Sequence, residues 1–144
     1  NFYKDLAQGT GNNITLTSAI QLLNIDQLDD IIKWWIEFLG AEFNNDFKFN
    51  WLTVWYPRIC NFDIAPTEWK LRVADKLEKF NYPDPFYQAQ IKNLRTDTVS
   101  EQEREYALRA FVKYNDHQDK FRSVPTTWRQ LLPDLETAIM KELG

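Results

Sequence analysis

Side chains able to bind or react are sparse in this 144-residue chain, and the most suggestive of them lie on or near two candidate strands. Asn24 follows the β-branched run 14–20, and Asn50 lies within a second run, 47–56. An amide both donates and accepts, so either residue could orient a small polar ligand. Equally, Asn24 could cap a turn, and Asn50 could be an ordinary polar residue within a strand. Thr17, with Thr15 and Ser18, could offer a hydroxyl, although Thr is at home in any strand. Cys60 follows Pro57-Arg58-Ile59; Arg58 could favour a thiolate, while a buried apolar thiol is the plainer reading. His117 between Asp116 and Asp119 offers the donors of a small metal site, or a solvated helix end. Asp29 and Asp30 read as a solvated helix surface. The aromatic alternation Phe47, Phe49, Trp51, Trp55 suits either base stacking or a core face. No Ser-His-Asp order, phosphate loop or dinucleotide fingerprint is present, so no catalytic residue and no metal ligand set is assigned.

Composition narrows the classes further. A single Cys excludes a disulfide framework, and it excludes an all-thiolate zinc or iron–sulfur site built from this chain alone. A single His makes imidazole-based catalysis an unattractive choice. Residues 1–66 carry four basic and eight acidic side chains, and residues 67–144 carry thirteen of each. Neither half has the basic excess that phosphate-backbone binding needs, so no nucleic-acid partner is expected. No apolar run approaches a membrane span, because Lys33 and Glu37 interrupt the longest, 31–39. No secretory leader is recognisable, and a cytoplasmic location is expected. The chain opens on Asn1, which suggests that the true N-terminus lies upstream. Aromatic residues make up 15% of the chain, a share that calls for a generous core or a covering partner.

The elements that must position these residues follow from periodicity. Residues 1–13 read as a helix end and a Gly-rich turn, and 14–20 as a strand. Asp26 is the expected N-cap of a helix whose Leu28, Ile31, Ile32, Trp35 and Leu39 share one face, with Gly40 as its C-cap. That spacing predicts a buried Trp35 and an exposed Trp34. The strand at 47–56 completes a βαβ unit, which implies parallel pairing and a right-handed crossover. Thr67 is expected to cap a helix of about fifteen residues, broken at Tyr82-Pro83-Asp84-Pro85. A short helix and a loop fill 86–99. Ser100-Glu101-Gln102-Glu103 reads as a capping box for a helix that turns Ala107, Ala110, Phe111 and Tyr114 inward. Leu135, Ala138 and Ile139 mark a short last helix.

Four blocks resemble one family in order and spacing. They are Asn24-Ile25-Asp26-Gln27-Leu28 leading into Ile31-Ile32-Lys33-Trp34-Trp35; the strand 49–56 closing on Tyr56-Pro57-Arg58; Ile64-Ala65-Pro66-Thr67-Glu68-Trp69-Lys70; and Asp119-Lys120-Phe121-Arg122 with Trp128 to Leu135. Together they resemble the C-terminal part of a radical SAM protein of the twitch-domain type. The family's CxxxCxxC cluster motif and its GGEP-like strand motif are absent from this chain. The resemblance implies an α/β fold: a partial (βα) barrel segment, with late barrel strands and their helix in 1–66 and a helical C-terminal cap in 67–144. It implies that S-adenosylmethionine and a [4Fe–4S] cluster belong to the full-length parent and not to this chain. Asn24, Asn50 and Thr17 are then candidates for contact with S-adenosylmethionine or substrate, since barrel enzymes build sites at strand ends. The expected partner is the missing N-terminal part of the same protein, or another copy of this chain. The competing reading is a non-catalytic small α/β protein-interaction module.

Overall fold

The computed structural model describes residues 15–39, 48–123 and 125–144. Helix dominates. Two strands, β1 (Thr15–Ile20) and β2 (Lys48–Thr53), pair in parallel, with Thr15 opposite Lys48 and Ile20 opposite Thr53. Helix α1 (Leu28–Leu39) lies between them in the chain, so the expected βαβ order is present. The pairing extends one bond beyond the ladder, where Val54 N–H donates to the Ile20 carbonyl at 2.8 Å. The strand expected to run to residue 56 therefore stops at Thr53, as the chain turns toward the cis Tyr56–Pro57 bond. The readings at 1–13, Gly40 and Phe47 lie outside the described residues.

Between β1 and α1 the chain makes a single 3-10 turn, Ile25–Gln27. Asp26 sits inside that turn and does not cap α1, which begins at Leu28 with Asp29 and Asp30 in its first turn, where a helix favours negative charge. Helix α2 (Thr67–Phe80) starts one residue earlier than Thr67 as a cap would require: Pro66 is the N-cap, and the Thr67 hydroxyl donates to Asp97 at 2.7 Å instead. The helix ends on Asn81, whose φ of 50° is the left-handed conformation that asparagine tolerates. Helix α3 (Pro85–Arg95) has Pro at its first position and Asp84 accepting from Tyr87 N–H at 2.8 Å. Helix α4 (Glu101–Asp119) is capped by Ser100, which accepts from Glu103 N–H. The reciprocal bond of a capping box is replaced, because the Glu103 carboxylate turns to Arg58. A complete capping box, Thr127 with Gln130, opens the four-residue α5 (Trp128–Leu131), and α6 (Pro133–Leu143) closes the chain.

One hydrophobic core joins all these parts. Ile20, Leu22, Ile25, Leu28 and Ile32 meet Phe62, Ile64, Trp69, Leu77 and Tyr87, and the same cluster continues through Leu108, Phe111, Trp128 and Ile139. On α4 the buried positions are Arg104, Ala107, Leu108, Phe111 and Asn115. Ala110 is only partly buried, and Tyr114 is exposed, contrary to the inward expectation. The helical face that meets the core is turned by about one residue, which brings Leu108 in and puts Tyr114 on the rim. On α1, Trp34 is exposed, at 53%, as expected, but Trp35 is only half-buried. Leu28, Asp29 and Ile32 take the core side, so Trp35 lies on its border.

Candidate functional site

The parallel ladder places Thr17 directly opposite Asn50. Side chains alternate along a strand, so Thr17, Ala19, Asn50 and Leu52 share one face of the sheet, and all four are exposed. The opposite face carries Ile20 and Thr53, both buried; Thr53 donates its hydroxyl to Gln90 of α3. Helices thus lie on one side of the sheet, while the described side chains on the other, Thr17, Ala19, Asn50 and Leu52, are exposed. Asn24 is placed differently. Its Oδ1 accepts from Gln21 N–H and its Nδ2 donates to the Ala19 carbonyl, both at 2.9 Å. This closes the turn after β1, so the turn-capping alternative is the one observed. The three candidates therefore divide into an exposed pair, Thr17 and Asn50, and a structural clasp, Asn24.

A second polar constellation was not evident from the sequence. An open cleft of about 480 Å³ lies between α1 and α2, lined by Asp29, Lys33, Arg72, Lys76 and Phe80 among others. Asp29 is buried and bridges Lys33 at 2.8 Å and Lys76 at 3.0 Å. Lys76 also donates to the Asp26 carbonyl at 2.5 Å, and Lys33 lies 5.1 Å above the Phe80 ring. Burial raises the Asp29 carboxyl, but bonds from Lys33 and Lys76 outweigh it and hold the group below the usual carboxylate range. Asp26 goes the other way. Burial pushes its carboxyl up, the Lys76 charge only partly offsets this, and one buried oxygen has no hydrogen-bond partner. Asp26 does not line the cleft, so the cluster reads as a clasp holding the 3-10 turn and α1 to α2. Asp29 and Asp30, expected on a solvated surface, prove half so: Asp29 is inside and Asp30 outside.

Further along, Asp97 accepts from Thr67, from Lys70 at 3.2 Å and from Arg104. Lys70 is fully buried, and Arg104 nearly so. Burial raises the Asp97 carboxyl, yet these three donors together hold it far below its ordinary value. Two buried cations on one partly exposed carboxylate tie α2 to α4 across the loop between α3 and α4. The only sequence signal was positional: Lys70 and Arg104 stand on helix faces filled mostly by apolar residues.

The remaining candidates have structural duties. Asp116 accepts from Trp128 Nε1 at 2.8 Å and from Arg129, while Asp119 accepts from Trp128 N–H at 3.0 Å. The Arg129 bond, helped by Trp128, lowers the Asp116 carboxyl against the opposing effect of burial. His117 stacks edge-on to Phe121 at 4.9 Å. No group of three or more His, Cys, Asp or Glu suited to a metal ion occurs among the described residues. The Cys60 thiol is half-buried, and burial raises it, so it is not an activated nucleophile. Arg58 does not activate it, being committed to Asp63 at 2.8 Å and to Glu103. One thiol does not fit a four-iron cluster, and no step through such a cluster is assigned to these residues. Among the described residues, no helix is long and apolar enough to cross a membrane. No family model, no curated protein and no solved structure matches the chain.

Proposed function

We propose that this chain is a closing segment of a larger (βα) barrel protein of the radical SAM type, supplying late strands and a helical cap while the parent supplies the cluster. One observation carries the proposal: among the described residues, a two-stranded parallel sheet is packed by helices on the face of Ile20 and Thr53, with Thr17, Ala19, Asn50 and Leu52 exposed on the other. Parallel sheets are covered on both faces almost without exception, and open strand edges invite further pairing. In a barrel the helix-covered face is the outside. The bare face would then be the interior, with the Thr17 hydroxyl and the Asn50 amide side by side and available to S-adenosylmethionine or to substrate. Leu52, 59% exposed, would join the apolar layer that fills a barrel between its strands. Asn24 would shape the strand end without touching ligand. The chain alone would have no activity.

The test is to express the chain together with its upstream coding sequence and compare amide exchange at β1 and β2 with that of the chain alone. Slow exchange and S-adenosylmethionine binding only in the longer protein are expected. Asn50→Leu there should weaken binding about tenfold, the effect of one lost hydrogen bond. The rival reading is a non-catalytic interaction module whose bare sheet face receives a partner's strands. It would prevail if upstream sequence brings no cysteine triplet, and if Asn50→Leu strengthens association with protein and leaves the small molecule unbound.

A further inference from the structure

We draw no further inference here: the strongest candidate, the open cleft between α1 and α2, carries nothing, because its Lys33 and Lys76 are already balanced by Asp29 and Asp30 and its Arg72 by Asp134, and nothing in the structure shows what would fill it.

Discussion

Asp26 and Asp29 stand three residues apart, both with a buried oxygen, and burial has opposite results for them. Asp29 has two lysines within bonding distance, so its charge is stabilised. Asp26 meets Lys76 mainly through its own backbone carbonyl, so its carboxylate is left to desolvation. The linkage signs follow. A carboxyl raised on folding favours the folded state below its ordinary value of 3.8, and that contribution is lost as pH rises through the raised value. A lowered one contributes above the ordinary value and loses its contribution as pH falls through the folded value. Asp26→Asn should therefore raise the melting temperature at neutral pH, with the gain closing in acid. Asp29→Asn should lower it at neutral pH, with the deficit shrinking in acid. Thermal melts of both variants across that range check the pair, and shifts of the same sign would show that the two groups have been assigned the wrong environments. Asp97 is a different case, because its removal leaves buried Lys70 with only the Asp63 carbonyl, and buried Arg104 with Glu142 at 3.6 Å as its remaining carboxylate. Asp97→Ala should cost about 1–3 kcal/mol, the penalty of weakening bonds to buried donors from a carboxylate that is itself partly exposed, read by denaturant unfolding.

At the scale of elements, α5 has four residues and cannot hold a helix unaided. It is fixed by its capping box, by Asp116 and Asp119 of α4, and by Trp128, whose ring meets Phe111 edge-on at 5.2 Å. Trp128→Ala should cost about 3–5 kcal/mol, whereas Trp34→Ala, on the exposed side of α1, should cost far less. Comparable losses in chemical denaturation would mean that α1 is covered on both sides. This contrast also marks what periodicity can reveal. The βαβ order, the break after Phe80 and the apolar stripe of α6 were legible because each depends on local spacing. The phase of α4 was not, since Tyr114 and Leu108 suit a core equally well, and the elements packed against it, the 3-10 turns Arg58–Cys60 and Phe62–Ile64 with α6 and α5, decide between them. Likewise Lys70 and Arg104 read as misplaced cations until Asp97 is brought to them from a loop about thirty residues from one and seven from the other. Of the candidate site, the strand pair Thr17 and Asn50 was legible as polar residues on strands, but its register was not, because it pairs residues far apart in sequence, outside any local pattern.

At the scale of the whole molecule, the change from strands to helices at residue 66 is not a change of core. Ile20 and Ile32 belong to the same buried cluster as Tyr87, Trp128 and Ile139. The last helix is bound into it at several points: Leu135 and Ile139 are buried, Glu136 bridges Arg129 at 2.9 Å, and Lys141 bridges Glu68 at 2.6 Å. The exposed bridge to Glu68 adds little by itself, while exposing two buried aliphatic side chains and the surfaces beneath them removes several kcal/mol, a large share of the stability of a domain this size. A chain ending at Leu132 should consequently lose structure throughout, β1 and β2 included, and not melt back to an intact βαβ unit. Amide exchange resolved by peptide is the measurement. Fast exchange in both strands of the truncated chain is the expected result. Protected strands beside an unfolded helical region would instead divide the molecule into two independently folding units at residue 66, and would mean that the sheet's bare face and the helical cap belong to separate working parts.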